Sequence, residues 1–385
     1  MFSLLGRVFG RLLGLLGLLL LVLGIVLRVR YGGGEAFPDR SGTARLPMSA
    51  VEVVANLPTP PGNIAVSADG RLFATLHPEG RPKSKVVEIV KGAAEPWPSE
   101  AFQTGAGEPR YFRSVLSRRI EAQGRLWTLD YGDYGTKPAR LLAFDIAKRE
   151  VVHEFVFPKE LAGLGSMLND FQVSPDGNFI YIADASLFAK NPALIVYDVK
   201  QGSARRLLAH HPSVTAEKFT PVVQGHKMVV LGVFAIRPGV DSIGLDQKGE
   251  WLYFAPVTNL NMSRIRTEDL RNESLDSATL AGKVEEFAPK TMSDGIALDN
   301  AGNVYMADPE HSAVVVLRAD KTLETLVKDE RLRWPDGFSF GPDGWLYLSC
   351  SSLHQIIGHP PWTFKNNAPY QIFRLKPGTP GVPGH

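Results

Sequence analysis

Residues 173–181 read Val-Ser-Pro-Asp-Gly-Asn-Phe-Ile-Tyr, and units of the same kind return along the chain. In each unit a branched or aromatic residue precedes a turn with Asp-Gly or a similar pair, and a run ending in an aromatic residue follows. This pattern is typical of a β-hairpin whose turn glycine adopts a positive φ. Further copies occupy residues 66–73, 245–253, 298–305 and 340–347, with a degenerate copy at 123–127.

The spacing of these hairpins indicates the architecture. The six turn glycines lie 42 to 72 residues apart, at Gly70, Gly124, Gly177, Gly249, Gly302 and Gly344. Further strands follow some copies, as at 193–198 and 203–207, so each unit holds four strands. Four-stranded units repeated in this way are typical of propeller blades. The sequence therefore predicts an all-β, six-bladed β-propeller over residues 51–385; a β-sandwich, the alternative, has no reason to repeat one turn at this period.

The N-terminal residues 1–30 form a separate hydrophobic segment. Two arginines precede the uncharged run 12–27 and two more follow it. Sixteen residues are slightly short for a membrane-spanning helix, which needs about 20. An uncleaved signal-anchor, a cleaved signal peptide and a cytoplasmic domain on the same helix all fit. We expect an extracytoplasmic protein, periplasmic or secreted, that is tethered to the inner membrane through residues 2–27 if the segment is not cleaved, with residues 31–50 as a linker.

Composition excludes several classes of protein. The single cysteine, Cys350, allows no intramolecular disulfide, and a net charge of +2 without a basic cluster gives no support to nucleic-acid binding. No phosphate-binding loop, dinucleotide fingerprint, zinc-binding His-Glu pair or serine-nucleophile elbow is present, so we expect no nucleotide cofactor. The partner that we expect is a small molecule, and the oligomeric state stays open.

Counting back from each turn glycine identifies equivalent residues in the six units, and we call this count the internal ruler. The position eight residues before the glycine is the ruler position. Eight positions before the turn glycine, four of the six units carry Asn or Asp; the next position adds Asn in a fifth unit and an acidic residue in a unit already counted. This position begins the strand nearest the propeller axis, so these side chains should converge on one mouth of the central channel. They are Asn169, Asp241, Asp294 and Asp336, with Asn63 and Asp170 one step away.

Three interpretations of this ring are open. Carboxylate and amide oxygens suit a hard cation such as Ca²⁺, which takes six to eight oxygen ligands. The same groups can accept hydrogen bonds from an amine or a hydroxyl-rich ligand, or they can simply cap turns. We predict Asp294 and Asp241 as catalytic carboxylates. His77 and His354 follow inner-strand copies, and we predict them as ligand-binding residues of the same mouth, together with Asn63, Asn169, Asp170 and Asp336.

Several stretches resemble the Yellow / major royal jelly protein family. Residues 168–173, 181–184 and 193–198 carry the resemblance, as do 239–245 and 251–257. It covers about residues 110–360 and implies a six-bladed propeller that is usually exported. Some members of the family convert dopachrome, others bind biogenic amines, and bacterial relatives are often labelled dopachrome tautomerase-related.

The blades are also similar to the wider gluconolactonase and senescence-marker group. This similarity implies Ca²⁺ or another divalent cation at Asn169, Asp241 and Asp294. The sequence departs from that group in blade one, where Gly62 and Asn63 stand instead of a glutamate, and at Asp241, where asparagine is usual. Three functions follow as hypotheses: a binder and isomerase of a small polar or aromatic metabolite such as dopachrome, a Ca²⁺-dependent lactonase, and a ligand- or protein-binding propeller without turnover.

Overall fold

Six four-stranded antiparallel sheets form the body of the protein in a computed structural model that describes residues 2–385 and the side chains of residues 7–385. The innermost strand of each sheet contacts the innermost strands of the two neighbouring sheets, and this series of contacts closes into a ring. A closed ring of radial sheets is a propeller. The predicted six-bladed all-β fold is confirmed.

The strands follow the chain from blade to blade. The first strand is β1 (Glu52–Leu57); blade one contains β2 (Pro61–Val66), β3 (Leu72–Leu76), β4 (Val86–Val90) and β5 (Ala93–Pro96); blade two contains β6 (Val115–Ile120), β7 (Arg125–Asp130), β8 (Arg140–Asp145) and β9 (Glu150–Val156). Blade three contains β10 (Leu168–Val173), β11 (Phe179–Asp184), β12 (Ala193–Asp198) and β13 (Ser203–Leu207). An insertion then holds two short hairpins, β14 (Val222–Val223) with β15 (His226–Lys227) and β16 (Val229–Val230) with β17 (Phe234–Ala235).

The remaining strands complete the ring. Blade four contains β18 (Val240–Leu245), β19 (Trp251–Pro256), β20 (Asn261–Arg266) and β21 (Glu285–Pro289); blade five contains β22 (Ile296–Leu298), β23 (Val304–Asp308), β24 (Ala313–Leu317) and β25 (Leu323–Lys328); blade six contains β26 (Pro335–Phe340), β27 (Leu346–Cys350) and β28 (Tyr370–Leu375). Short helices span Glu100–Thr104, Thr267–Arg271 and Ser277–Ala281.

Blade six is completed by the opposite end of the chain. Its outermost strand is β1, which pairs antiparallel with β28, so the fourth strand comes from residues that precede blade one. The first and last strands of the propeller are thereby hydrogen-bonded to each other. This pairing joins the two ends of the propeller through the outer part of blade six.

The inner strands give the channel its direction. In every blade the innermost strand and the next strand form the predicted hairpin, and all six turn glycines have φ between 69° and 86°. Each inner strand therefore runs from one mouth of the channel, where the ruler positions lie, to the turns at the far end. Residues after β28 cross that far end, where Pro383 bridges Phe340 and the His385 ring lies 3.1 Å from Gln172 Oε1.

The N-terminal segment is a long helix, α1 (Phe2–Tyr31). By length and composition it is apolar enough to cross a membrane over Arg7–Tyr31, and none of its most apolar window is buried. The segment predicted as a linker, residues 31–50, begins with the last residue of α1. Its residues 32–50 contain a short 3₁₀ turn, Met48–Ala50, and an isolated bridge at Glu35, and they form hydrogen bonds to blades four and five. Phe37 is buried beside Phe219 and Val257.

Candidate functional site

Backbone irregularities turn the ruler residues toward the channel. In five blades the pairing of the innermost strand shifts register at the ruler position, as between Leu168 and Phe171 in β10 and between Val240 and Ser242 in β18. Such a bulge bends the strand and redirects the side chain that it carries. Blade five is the exception, because β22 begins only at Ile296, and Asp294 precedes it.

These side chains surround a cavity of about 340 Å³ at the mouth of the channel. The structure brings together seven of the eight residues predicted for the site: Asn63, His77, Asn169, Asp170, Asp241, Asp294 and Asp336. Their roles remain predictions. The eighth, His354, does not line the cavity; it lies behind Trp334, with the two rings stacked at 6.2 Å, and its Nε2 is 3.2 Å from Gln224 Oε1.

Three carboxylates on the cavity floor repel one another. Burial raises the pKa of Asp241 well above its usual value, and the charges of Asp294 and Asp336 raise it further. Burial and the charge of Asp294 likewise raise the pKa of Asp336. Asp294 and Asp336 keep some exposed surface, but they lie deep in the molecule, so the loss of water around them outweighs their hydrogen bonds.

The pKa of Asp294 is raised to about 6, chiefly by burial. The indole Nε1 of Trp334 donates a hydrogen bond to Asp294 Oδ2 at 2.5 Å, which opposes the rise by stabilising the charged form. A carboxyl group that titrates near 6 exchanges a proton readily close to neutral pH. Asp294 is therefore the floor carboxylate best suited to proton transfer.

A fourth carboxylate, Asp170, forms an ion pair with Arg119, although burial still raises the pKa of Asp170. Arg119 Nη2 lies 2.8 Å from Asp170 Oδ2, and Arg119 Nη1 donates to Asn63 Oδ1 at 2.7 Å. Ser117 Oγ donates to the other oxygen of Asp170. Arg119 is itself buried, so this one cation on blade two joins the ruler residues of blades one and three.

Sequence reasoning missed both Arg119 and Trp334. A signal for Arg119 existed in the internal ruler: five positions before the turn glycine, the other blades carry Ala65, Gln172, Gly244, Ala297 and Ser339, and only blade two carries a charge. Trp334 offered no such signal, because it lies outside the repeated unit, in the connection that leads into β26.

The cavity walls above the floor are mainly apolar. They are formed by the loop after β11, the insertion between blades three and four, and the loop after β27, with Leu187, Phe188, Val230, Phe234, Ile236, Leu353 and Ile357. One polar group interrupts them, where Tyr134 donates a hydrogen bond to Glu79 at 2.7 Å. Burial lowers the pKa of His77 to about 4, so His77 is neutral at pH 7. An acidic floor beneath apolar walls suits a ligand with a polar or cationic end and an apolar body.

The oxygen atoms of the floor are of the kind that a hard cation takes, and the three predicted metal ligands, Asn169, Asp241 and Asp294, all line the cavity. Among the described residues, no three acidic, histidine or cysteine side chains lie close enough together to hold a metal ion. Asn63 Oδ1 and Asp170 are already engaged by Arg119, which also adds a positive charge to the ring.

Comparison with known proteins agrees with this fold. The family model described as Major royal jelly protein matches residues 113–356. Regucalcin from Agrobacterium tumefaciens, a calcium-binding protein, has a similar structure, with a TM-score of 0.56, 15% identity, and coverage of 89% of this chain and 98% of that chain. A gluconolactonase from Xanthomonas campestris has a TM-score of 0.53 at 13% identity, over 90% of this chain and 97% of that chain. No curated protein matches significantly.

Proposed function

Since the chain belongs to the major royal jelly protein family, we propose that its channel mouth binds a small molecule with a protonated amine at one end and an aromatic body. The observation that carries this proposal is the cluster of Asp241, Asp294 and Asp336 on the floor of an apolar-walled cavity. A cation bound there relieves the repulsion that raises the pKa of these groups. The walls meanwhile cover the apolar body of the ligand.

We further propose that the same cavity isomerises a conjugated carbonyl compound derived from such an amine, for example dopachrome, as in the dopachrome tautomerase-related type of the family. Asp294 carboxylate removes a proton from a carbon next to a carbonyl, and the C–H electron pair moves into the conjugated ring system. The carbonyl oxygen gains a proton and becomes a hydroxyl. The reaction moves protons only, so it needs no oxidant or reductant.

The neighbours of Asp294 support this role. The Trp334 indole fixes one carboxylate oxygen at 2.5 Å. The second oxygen is left for a substrate proton. Because the pKa of Asp294 is about 6, its carboxylate is charged in most molecules at neutral pH and can accept the substrate proton. The protonated form is also acidic enough to return the proton to the substrate after the transfer.

Two measurements on the full-length protein test the two parts of this proposal. Titration calorimetry with dopamine should show binding that Asp241→Asn weakens, because the variant removes one of the charges that attract the amine. Dopachrome conversion, followed by its visible absorbance, should vanish in Asp294→Asn. Asp343→Asn is the matched control, because Asp343 is an exposed carboxylate on the far face whose φ of 60° asparagine tolerates.

The results separate three functions. Binding and conversion that both respond to the floor variants support the isomerase. Dopamine binding without conversion leaves a ligand-binding propeller and removes the isomerase. Absence of dopamine binding, with tight Ca²⁺ binding that Asp241→Asn abolishes, would overturn the proposal in favour of a metal-dependent lactonase.

We also propose that α1 stays attached and anchors the propeller to a membrane, with the propeller on the extracytoplasmic side. The apolar window of α1 is exposed along its whole length. None of the residues that the structure describes covers these side chains, and a bilayer provides the apolar surroundings that they lack.

A further inference from the structure

The C-terminal end of α1 is fixed beside the channel mouth. The ring of Tyr31 stacks on Phe234 with 4.8 Å between centroids, and its hydroxyl donates to the Phe188 carbonyl oxygen at 2.8 Å. Arg30 donates to the Ala189 carbonyl oxygen at 2.8 Å. Phe188 and Phe234 are also cavity-wall residues, so the helix leaves the propeller from the rim of the cavity itself.

The same rim carries the most exposed apolar side chains of the propeller. Among the described side chains outside α1, the three most exposed large apolar ones are Leu231, Leu164 and Trp362, at 93%, 79% and 73%. Leu231 lies at the tip of the β16–β17 hairpin, between wall residues Val230 and Phe234.

Leu164 and Trp362 are also close to the cavity wall in the chain. The residue after Leu164, Gly165, donates its backbone N–H to the carbonyl oxygen of Tyr134, which lines the cavity. Trp362 follows the wall residues Ile357 and Gly358 by a few positions, at the start of a 3₁₀ helix. Exposed apolar groups gathered at one opening mark an interaction surface rather than ordinary scatter.

The far face of the propeller differs. Its hairpin turns contain Asp69, Asp176, Asp246 and Asp343. The other exposed large apolar residues outside α1 and the mouth are Val53, Val152 and Val156, which lie on the outer strands β1 and β9. The three most exposed large apolar side chains outside α1 thus lie on the face from which α1 departs.

Positive charge accompanies these apolar groups. Arg28 and Arg30 occupy the last turn of α1, and the Lys190 ammonium lies 5.7 Å from the centre of the Tyr31 ring. Basic residues that border an apolar surface attract anionic lipid headgroups. Aromatic side chains such as Tyr31 and Trp362 favour the same depth, at the boundary of acyl chains and headgroups.

We propose that the mouth face lies on the membrane surface, with Leu164, Leu231 and Trp362 in the lipid interface, so that ligands enter the cavity from the bilayer. The occupant of this surface is the bilayer that holds α1, and the inference rests on the proposed retention of the helix. The class of ligand narrows accordingly to amphiphilic amines, because such molecules collect in the interface with the amine near the headgroups.

Quenching of tryptophan fluorescence by lipid tests the position of the face. The full-length protein is reconstituted into phosphatidylcholine vesicles with a minority of phosphatidylglycerol, with or without brominated acyl chains. The difference between the emission of the wild type and that of Trp362→Phe gives the emission of Trp362. We expect the brominated lipid to quench this emission several-fold. The emission of Trp345, obtained in the same way from Trp345→Phe, should be the same with and without bromine, because Trp345 adjoins the Gly344 turn of the far face.

A fluorescent label provides a second readout. An environment-sensitive dye on Leu231→Cys should shift to the blue and brighten in the same vesicles, whereas the dye on Lys248→Cys, an exposed turn position of the far face, should not. The native Cys350 is buried, so it escapes labelling. Equal spectra for the two labels, or unquenched Trp362 emission, would overturn the inference. Both measurements omit the ligand, so failure of the proposed amine binding does not affect them.

Discussion

Asp294 makes the stability of the folded protein depend on pH. Its pKa is raised from 3.8 to about 6 by burial, against the hydrogen bond from Trp334. Between these two values the folded state binds more protons than the unfolded state. The free energy of unfolding therefore falls as pH rises from about 4 through about 6, and the whole penalty is present at pH 8.

Asp294→Asn should accordingly stabilise the protein at high pH. Asparagine keeps the shape and can accept the Trp334 hydrogen bond without carrying a charge. We expect a free energy of unfolding higher than wild type by on the order of 1–3 kcal/mol at pH 8, with no difference at pH 4. Urea unfolding in detergent micelles at both pH values measures this, with Asp343→Asn as the unaffected control. A gain of equal size at both pH values would contradict the assigned charge effect.

Arg119 should contribute strongly to the stability of the folded protein, because its positive charge pairs with the buried carboxylate of Asp170. Arg119→Met keeps the aliphatic bulk but leaves a buried carboxylate unpaired, and we expect a loss of about 3–5 kcal/mol in the free energy of unfolding. The double variant Arg119→Met/Asp170→Asn should recover most of that loss, because it removes the orphaned charge. Chemical unfolding of the three proteins gives the comparison, and a double variant no more stable than the single one would show that Arg119 acts through packing instead.

Residues of the site differed in how far the sequence could predict them. Asn169, Asp241 and Asp336 were found because the hairpin repeat gives them a common register, and the bulges then turn them inward. His354 was expected at the mouth because it follows an inner-strand copy, but the left-handed Ser352 and the 3₁₀ turn after it carry the ring behind Trp334. A chain reversal of this kind depends on the packing of the neighbouring loops, which a linear ruler does not contain.

At the scale of elements, the turn glycines are alike in backbone conformation but differ in their surroundings. Gly249 and Gly302 have φ of 71° and 80°. A Cβ at Gly249 would lie 2.5 Å from Pro175 Cδ in the turn of blade three, whereas nothing lies within 4 Å of one at Gly302. The first turn therefore helps blades three and four to pack, and the second is free on the surface.

Alanine substitutions should separate these two effects. Gly302→Ala is expected to cost about 1 kcal/mol of unfolding free energy from backbone strain alone. Gly249→Ala should cost about 1–3 kcal/mol more, because the added methyl group displaces a rigid proline. Thermal unfolding of both variants measures the difference, and equal melting temperatures would contradict the proposed blade contact.

The two inner strands of each blade were predictable, while closure of the ring was not. Gly-containing turns and alternating apolar residues are local signals, so the six hairpins could be counted in the sequence. The pairing of β1 with β28 joins residues more than 300 positions apart and has no turn between them. The insertion after β13 was visible only as a long interval between repeats, and its role as a cavity wall depends on how its two hairpins fold over the mouth.

At the scale of the whole molecule, the far end of the channel is partly covered, because the last residues of the chain cross it. Ile120 donates its backbone N–H to the carbonyl oxygen of Gly384 at 3.2 Å, and Phe340 donates to that of His385 at 2.9 Å. These bonds tie blades two and six together below the site. We therefore expect ligands to enter and leave through the mouth, as the proposed contact between the mouth and the membrane requires.

Removal of residues 379–385 should weaken the propeller without abolishing the site. We expect the free energy of unfolding to fall by about 2–4 kcal/mol, because several backbone hydrogen bonds and the burial around Phe340 are lost. Dopamine binding at low temperature should persist, since the tail contributes no residue to the cavity wall. A truncated protein that is as stable as wild type would show that the tail merely rests on the far end.

The floor carboxylates are proposed to recognise a positive charge, and calorimetry with a matched pair of ligands tests this recognition most directly. The full-length protein is titrated at pH 7 with dopamine and with its neutral analogue, in which a hydroxyl replaces the amine. Dopamine should bind at least about tenfold more tightly, and its advantage should shrink in Asp241→Asn. Equal binding of the two molecules, or tighter binding of the alcohol, would contradict the claim.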